Sequence, residues 1–372
     1  MRVAVVGAGI VGVHVGVELA RRGADVTLLD AGEPGGGTTR GSFAWIDASH
    51  PGLAQYLELR LLGLDAWRRQ DEALGHPPWL RLRGTTIWTS DPAAQGELEE
   101  HCERLRAGGW APERITATDA LRHEPDLVID PGVEAVYRFA GEGWVDTGQA
   151  IAALLGRADA DRLQLRAHAA VSGLVRDGSG RVTGVALHGG EELAADAVVS
   201  CAGRWTQSLL CTADAYVPML TAGAPGSRVP GLVARTTPVL TRINGVVLAD
   251  GLLIRSDAGG GLLAHSDELD RTLTGETAPP GASDELIALL SRHVRGAERA
   301  RLQDDRVCLR ALPGDLLPVA GWALDGLYAV ATHSGVTLAP ALAELVSDEV
   351  LDGRERPELS ALRPDRFGAA LV

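Results

Sequence analysis

The sequence contains no lysine, because all 35 of its basic residues are arginine. This absence excludes a lysine Schiff base, a lysine general base and a lysine that activates oxygen. The acidic residues number 49 and give a net charge of −14 at pH 7. A chain with this charge is poorly suited to bind nucleic acid or an anionic membrane, and we expect neither as a partner.

Cysteine is scarce, and long apolar runs are absent. The four cysteines have no C-x-x-C spacing and no secretory context, which predicts a reduced, cytoplasmic protein. The ten histidines form no H-x-x-x-H motif and no mixed Cys/His cluster, so no metal site is predicted. Residues 3–20 are largely apolar, but four glycines, His14 and Glu18 interrupt them. We therefore predict a soluble chain with neither a membrane span nor a secretory leader.

The first thirty residues have the pattern of a dinucleotide-binding unit. An apolar, β-branched run over 3–6 precedes a G-x-G-x-x-G motif at Gly7, Gly9 and Gly12. The first glycine permits a tight turn, and the second leaves room for a pyrophosphate. The third lets the following helix pack closely on the strand. This pattern predicts a site for the ADP half of a dinucleotide.

The segment after the glycines supplies the rest of that site. A helix is predicted over 10–22, and its first amides, at Ile10 and Val11, face a bound pyrophosphate. The next predicted strand covers 26–29 and ends at Asp30. A carboxylate there accepts hydrogen bonds from both ribose hydroxyls and repels a 2′-phosphate, so NADP is disfavoured. The motif alone fits either NAD or FAD.

The remaining sequence alternates between helical and strand-rich segments. Leucine spacing predicts a helix over 52–74 that includes Leu53, and further helices are expected near residues 97–109, 146–160, 284–295 and in the tail. Residues 215–311 are rich in strand and turn patterns. This layout indicates two interleaved domains, with the dinucleotide domain assembled from the start, the middle and the end of the chain.

Three later segments carry a family resemblance when they are taken with the glycine motif. They are ADAVVSCAGRWTQSL, LRALPGDLLPVAG and GLYAVATHSGVTLAPALAELVSDEVL. In this order they resemble the D-amino-acid oxidase and glycine/sarcosine oxidase family of FAD-dependent oxidoreductases, over nearly the whole chain. The match departs from the family at Ala311, which replaces a proline, and at Leu316, which replaces a glycine. The resemblance implies FAD rather than NAD.

The resemblance also implies the fold. It is α/β, with a Rossmann-type FAD-binding domain interleaved with a second α+β substrate domain on a mainly antiparallel sheet. The expected FAD-binding domain comprises residues 1–82, 143–212 and 312–372. The expected substrate domain comprises residues 83–142 and 213–311.

The motifs of the family assign cofactor-binding residues along the chain. Gly335, Val336 and Thr337 are expected at the flavin pyrimidine edge, where helix amides stabilise negative charge on the reduced ring. The full expected set is Gly7, Gly9, Ile10, Val11, Gly12, Asp30, Ala31, Thr38, Thr39, Arg40, Ser42, Val171, Ala202, Gly203, Trp205, Gly335, Val336 and Thr337. Non-covalent FAD is favoured, and a covalent link through Cys308 is the alternative.

Substrate-side residues are implied in the same way. Arg310 matches the arginine that clamps a substrate carboxylate in the amino-acid-oxidising branch. The oxygen-activating lysine of the sarcosine branch is absent, and Leu263 falls near its position. His265 and His333 are candidate cations in its place, with a purely structural role as the alternative. Arg255 is interpreted as an exposed strand residue, or alternatively as a second anion anchor.

The implied function is the oxidation of the C–N bond of an amino acid or secondary amine. Hydride transfer to flavin N5 gives an imine, with O₂ as the acceptor and hydrogen peroxide as the product. Two alternatives keep the fold: a dehydrogenase that passes electrons to a quinone or carrier, and a natural-product tailoring enzyme whose substrate has no carboxylate. A non-catalytic flavin-binding protein is the alternative from another class.

Overall fold

The computed structural model describes residues 1–50, 56–223 and 227–368. The described part contains helices α1 Ile10–Arg21, α2 Leu57–Ala73, α3 Pro92–Ala107, α4 Ala117–His123, α5 Thr147–Arg157, α6 Thr206–Cys211, α7 Asp267–Asp270, α8 Ala282–His293 and α9 Gly335–Asp352. Its strands are β1 Arg2–Val6, β2 Asp25–Leu29, β3 Trp45–Ile46, β4 Leu80–Arg81, β5 Thr85–Trp88, β6 Glu113–Ile115, β7 Val136–Phe139, β8 Gly143–Val145, β9 Leu163–Arg166, β10 Val171–Arg176, β11 Val182–Leu187, β12 Glu192–Ala194, β13 Ala197–Ser200, β14 Pro230–Thr236, β15 Val246–Ala249, β16 Leu252–Ser256, β17 Leu262–Ser266, β18 Leu302–Leu309, β19 Val319–Leu324 and β20 Leu327–Ala331.

The chain divides into two units, each built from separated segments. The first unit comprises Met1–Arg40, Thr147–Leu220 and Arg310–Val372, and the second comprises Gly41–Asp146 and Thr221–Leu309. The first unit contains a six-stranded sheet in the order β19-β20-β13-β1-β2-β9 and a smaller sheet of β10, β11 and β12. Strands β9, β2, β1, β13 and β20 run parallel, and β19 pairs antiparallel with β20.

The second unit is built on an eight-stranded sheet in the order β18-β14-β17-β16-β15-β5-β7-β6. Every pairing in it is antiparallel except β15 with β5. One face packs against α8 through Leu232, Ile254, Leu286 and Leu290. The other face carries an aromatic cluster with residues of a three-stranded sheet, β3-β8-β4. A parallel sheet in one unit and a mainly antiparallel sheet in the other confirm the predicted fold class.

The expected domain boundaries differ from this division at points where the chain passes from one unit to the other. Residues 41–82 lie in the second unit rather than the first, because β3 and β4 both pair with β8. Residues 213–220 lie in the first unit instead, where Leu220 N donates to Leu312 O at 2.8 Å. Leucine spacing does not reveal these pairings, because each depends on a partner strand far away in the sequence.

The predicted helices form, and their ends differ by a few residues. Helix α1 ends one residue earlier than predicted, and Gly23 follows it with a φ of +94°, a value that favours glycine. Helix α2 begins at Leu57, and Leu53 lies outside the described residues. Helix α3 begins earlier than predicted, because Asp91 caps the Ala93 amide and Pro92 fits the first helical position. In the described part of the chain, none of the helices combines the length and apolar character that crossing a membrane requires.

Candidate functional site

The turn between β1 and α1 has no room for side chains at its glycines. Gly7 has a φ of +104°, and a Cβ there would lie 2.4 Å from Cys201 O. A Cβ on Gly12 would lie 1.8 Å from Gly7 O. A Cβ on Gly9 would meet Thr39 Oγ1 at 3.2 Å, and that hydroxyl accepts a hydrogen bond from Ile10 N at 3.1 Å. The helix N-terminus is therefore packed tightly against both β1 and the Thr39 turn.

Asp30 is fixed at the end of β2 by backbone amides. Its Oδ2 accepts from Ala8 N at 2.7 Å, and its Oδ1 accepts from Gly32 N at 2.9 Å. The Asp30 carbonyl accepts from Ala169 N at 2.7 Å, two residues before Val171. Each carboxylate oxygen keeps a second lone pair for an outside donor. The half-buried carboxylate is thus oriented beside the glycine turn, as a ribose-binding acid requires.

The N-terminus of α9 lies beside that of α1. A Cβ on Gly335 would come within 3.3 Å of Val11 Cγ2. Val336 and Thr337 are buried in the first turn of α9, and His333 is half-buried just before it. The positive ends of two helices therefore lie close together, although their sequences are more than three hundred residues apart. Such a pair is suited to hold the phosphates and the electron-rich edge of one extended ligand.

Other predicted cofactor residues surround this region in the first unit. Thr38, Thr39 and Arg40 form a 3₁₀ turn that ends at Gly41. Gly203 has a φ of +56° and begins the short helix that contains Trp205. A Cβ on Gly37 would lie 3.3 Å from the Trp205 ring, so this loop and the Ala202–Trp205 segment are adjacent. Ala31 and Arg40 are exposed, which leaves both accessible to a ligand.

These contacts test whether the residues fit FAD. The cradle formed by the glycine turn would be filled by any Cβ, its acid is pre-oriented, and two helix N-termini converge on it. This donor set suits a dinucleotide, which presents ribose hydroxyls, a pyrophosphate and a ring edge that gains charge. The residues present fit the cofactor.

Two further predicted residues of the site, Ser42 and Cys308, belong to the second unit. Ser42 Oγ accepts from Ala44 N at 2.9 Å. Cys308 is buried, and its side chain packs against Gly41, where a Cβ would lie 2.9 Å from Cys308 Cβ. Arg310, which begins the last segment of the first unit, is half-buried.

His265 is held within the second unit through both ring nitrogens. Its Nδ1 pairs with Leu232 O at 2.9 Å, and its Nε2 lies 3.2 Å from Asp267 Oδ1 and 3.6 Å from Asp270 Oδ2. Hydrogen bonds from His265 and His50 hold the pKa of the Asp267 carboxyl well below its ordinary range. His265, Asp267 and Asp270 are neighbours in the sequence as well, whereas His50 and Leu232 join them only through the fold. Their mutual pairing favours a structural role for His265.

The segment around Arg310 departs from the family pattern at a position where the backbone has a positive φ. Leu316, which stands where the family has glycine, has a φ of +68°. The turn is closed by Leu316 N donating to Pro313 O at 2.9 Å. A leucine in this left-handed conformation costs about 1–2 kcal/mol relative to glycine. The loop therefore keeps the shape that glycine favours, even though the residue has changed.

Arg255 contradicts the interpretation as an exposed strand residue, because it is 5% exposed. It lies on β16 opposite Val246 and Leu263 of the neighbouring strands, on the sheet face that carries the aromatic cluster. Its guanidinium carbon lies 4.4 Å from the centroid of the Trp144 ring. No sequence pattern indicates this environment, because Trp144 comes from a different sheet more than one hundred residues earlier.

A buried carboxyl lies near the same three-stranded sheet. Glu142 accepts hydrogen bonds from Ala48 N and Ser49 Oγ, each at 2.8 Å, and from Trp110 Nε1 at 3.3 Å. Burial, with a smaller contribution from the charge of Asp47, raises the pKa of Glu142 to about 7. No sequence pattern singled out this group.

This raised pKa predicts a pH dependence of stability. Between pH 4.5, its ordinary value, and about 7, Glu142 keeps its proton in the folded chain and has lost it in the unfolded chain. Its contribution to the free energy of unfolding is therefore fully present below pH 4.5 and lost as the pH rises to 7. Urea unfolding at pH 5 and at pH 7 measures this. From pH 5 to pH 7 the free energy of unfolding should decrease less for Glu142→Gln than for the wild type. An equal decrease in both proteins would contradict this.

Comparison with known proteins identifies the family of the chain. A family model described as FAD dependent oxidoreductase matches residues 2–349. The glycine oxidase of Geobacillus kaustophilus is 27% identical over 367 residues, covering 94% of this chain and 92% of that protein. A D-amino acid dehydrogenase of Cereibacter sphaeroides is 27% identical over 419 residues, covering 97% and 94%.

Solved structures share the fold. The crystal structure of glycine oxidase from Geobacillus kaustophilus matches with a TM-score of 0.80 at 23% identity, covering 98% of this chain and 99% of that one. Because the family match extends from the first strand to the last helix, the chain belongs to the DAO family of FAD-dependent oxidoreductases.

Proposed function

We propose that this protein oxidises the C–N bond of an amino acid or secondary amine to an imine, with O₂ as the electron acceptor. The observation that carries the proposal is the cradle of the first unit, formed by Gly7, Gly12, Asp30 and Gly335, in a chain of this family. The relatives named glycine oxidase and D-amino acid dehydrogenase support the substrate class and leave the acceptor open.

FAD, when bound, supplies the two-electron acceptor for a hydride from the carbon next to nitrogen. The chain's own residues bind and orient the cofactor and the substrate. Asp30 accepts from the ribose hydroxyls, and the first turn of α1 binds the pyrophosphate. The first turn of α9, with Gly335, Val336 and Thr337, stabilises the flavin pyrimidine edge. Arg310 is proposed to bind a substrate carboxylate, on the strength of its motif position.

The proposal needs no side-chain base if the amine arrives neutral, which suits a chain without lysine. His333, two residues before the start of α9, is one of the two proposed cations. Both ring nitrogens of His265 are engaged within the second unit, which favours a structural role for that residue. Peroxide formation measured against reduction of an artificial dye separates the oxidase from the dehydrogenase. Dye reduction without peroxide formation would show that the electron acceptor is a quinone or carrier rather than O₂.

The central test is an anaerobic panel of amines and amino acids mixed with the purified holoenzyme. We expect at least one small amine or amino acid to bleach the flavin absorbance at 450 nm. Bleaching only by amines without a carboxylate would favour a tailoring enzyme and remove the proposed role of Arg310. If no amine in a broad panel bleaches the flavin, the protein is a non-catalytic flavin-binding protein.

Asp30 gives a prediction about cofactor affinity. We expect Asp30→Asn to weaken FAD binding about 10- to 100-fold, because charge-assisted hydrogen bonds contribute about 1.5–3 kcal/mol. Titration of apoprotein with FAD, followed by quenching of flavin fluorescence, measures the dissociation constant. Asp25→Asn is the matched control at the start of β2, the strand that Asp30 follows, since Asp25 is exposed and pairs with Arg162 at 2.6 Å. Equal affinities for the two variants would contradict the ribose role.

Non-covalent binding of FAD is the remaining part of the proposal. The Cys308 side chain packs against Gly41 and is 7% exposed, which suits a packing cysteine. Acid precipitation should leave a colourless pellet with all flavin in the supernatant. A yellow pellet from the wild type, but not from Cys308→Ala, would establish the covalent link instead.

A further inference from the structure

Histidine and aspartate side chains gather around the short helix α7 in the second unit. His265 ends its strand one residue before the last position of β17, and Asp267 and Asp270 are the first and last residues of α7. Residues three apart share one face of a helical turn, so the two aspartates lie on the same side. One nitrogen or oxygen atom from each of the three side chains lies within 4.8 Å of the other two. The fold thus brings together an imidazole and two carboxylates, which are ligands of divalent metals.

The main chain of Leu232, on β14, orients two members of this cluster. Leu232 N donates to Asp270 Oδ1 at 2.7 Å, and Leu232 O lies 2.9 Å from His265 Nδ1. Because a carbonyl oxygen only accepts, His265 Nδ1 carries a proton and donates it. The other ring nitrogen, Nε2, then faces Asp267 Oδ1 at 3.2 Å and Asp270 Oδ2 at 3.6 Å. A histidine that donates one ring N–H to a carbonyl and turns its other nitrogen toward further ligands is the usual arrangement at a metal site.

The ring nitrogen and the two carboxylates require a positive charge between them. His265 and Asp270 are 6% and 4% exposed, so solvent does little to screen the nitrogen lone pair from the acid. A second ring proton or a bound cation supplies the charge. A proton on Nε2 serves one oxygen only, because 3.6 Å is too long for a hydrogen bond to Asp270. A cation bonded to all three atoms satisfies both acids at once.

The distances between the three side chains suit a small cation. Ligand atoms in a tetrahedral site with bonds of about 2.0–2.2 Å are about 3.3–3.6 Å apart. The separations of His265 Nε2 from the two carboxylate oxygens, 3.2 and 3.6 Å, lie close to that range. An imidazole ligand favours Zn²⁺ and its transition-metal neighbours over Mg²⁺ and Ca²⁺, which prefer oxygen alone.

From this geometry we propose that His265, Asp267 and Asp270 bind a divalent transition metal, with water as the remaining ligand. His50 supports the site from outside, because its Nε2 lies 3.2 Å from the second oxygen of Asp267. Histidine and cysteine spacing alone predicts no metal site, since two of the three ligands are carboxylates. All four side chains belong to the second unit, and the proposal does not depend on the reaction at the flavin.

The test measures metal binding by isothermal titration calorimetry of the EDTA-treated holoenzyme with zinc chloride. We expect one equivalent of Zn²⁺ to bind and to raise the melting temperature, because a ligand of the folded state stabilises it. Magnesium chloride should bind far more weakly. Asp267→Asn should weaken Zn²⁺ binding about 100-fold or more, since outer partners of metal ligands already contribute about 10- to 100-fold. By the same rule, His50→Gln should weaken it about tenfold.

Asp71→Asn is the matched control in the same unit. Asp71 pairs with a single histidine, His76, at 2.8 Å, and offers a metal no third ligand in this pair. We expect this variant to bind Zn²⁺ within about threefold of the wild type. Asp267 suits substitution because its side chain is 50% exposed, and asparagine keeps its shape. The melting temperature in EDTA checks that each variant is folded, and His265→Gln replaces Asp267→Asn if that variant is not.

X-ray absorption at the zinc edge identifies the ligand atoms. We expect nitrogen and oxygen at about 2.0–2.2 Å, whereas sulfur at about 2.3 Å would place the metal at a thiol such as the exposed Cys211 and overturn the proposal. A folded Asp267→Asn protein that binds Zn²⁺ as tightly as the wild type would also overturn it. So would a wild-type protein that binds no Zn²⁺, or one that binds Mg²⁺ equally well.

Discussion

Replacing Gly12 by alanine is expected to remove bound FAD and to destabilise the first unit by about 3 kcal/mol or more. The new Cβ would lie 1.8 Å from the carbonyl oxygen of Gly7 and 3.0 Å from its carbonyl carbon. Backbone atoms cannot rotate away as a side chain does, so α1 must move off β1 and carry the pyrophosphate-binding amides with it. The ratio of flavin to protein absorbance measures the bound FAD, and urea unfolding measures the stability.

Gly16, one turn further along α1, is the matched control. A Cβ there would meet only side-chain carbons of Leu163, Val26 and Leu28, at 3.6 to 3.8 Å, which is ordinary contact. Alanine is also a better helix residue than glycine by up to about 1 kcal/mol. We expect Gly16→Ala to keep its flavin and to be as stable as the wild type or more so. Retention of flavin by both variants would contradict the role of close packing at Gly12.

Replacing Arg60 by methionine is expected to cost about 3–5 kcal/mol of stability. Arg60 on α2 is 0% exposed, and its Nε and Nη2 donate to Asp47 O at 3.0 and 2.7 Å. Its Nη2 also donates to Asp47 Oδ2. Methionine fills similar space and leaves the Asp47 carboxylate buried without its cation. Urea unfolding of the holoenzyme measures the loss.

Two comparisons test this interpretation of Arg60. Arg68→Met, on the same helix, removes exposed pairs with Asp65 and Glu72 and should change stability little, because solvent screens them. Adding Asp47→Asn to Arg60→Met should recover part of the loss, because the unpaired charge is then removed. If the double variant is as unstable as the two single losses added together, packing rather than charge explains the effect of Arg60→Met.

The parts of the site that could be predicted from the sequence are those determined by local backbone. The glycines at 7, 9 and 12 and the acid at 30 are close in sequence, and their spacing already dictates a strand, a turn and a helix. The start of α9 at Gly335 was predictable from its motif for the same reason. Their use for FAD stays a proposal, supported by the fit of the cradle.

The parts that sequence did not reveal depend on distant partners. Arg255 resembles an ordinary strand arginine until β8 supplies Trp144 and the segment before β3 supplies Phe43. Glu142, between β7 and β8, resembles a loop glutamate until Ala48 and Ser49 donate to it. Burial of a charge is a property of the assembled sheets, and no spacing rule in one segment reports it.

The position of β20 has a consequence for how the protein is made. This strand, at Leu327–Ala331, lies between β13 and β19, and α9 after it contacts α1 through Gly335 and Val11. A nascent chain therefore carries the first strand of the parallel sheet long before its later neighbours leave the ribosome. Every segment of the second unit, whose last strand ends at Leu309, is synthesised before the final segment of the first unit, Arg310–Val372. We expect a released fragment that ends between β18 and β19 to protect the second unit from protease while leaving the first unit open to cleavage.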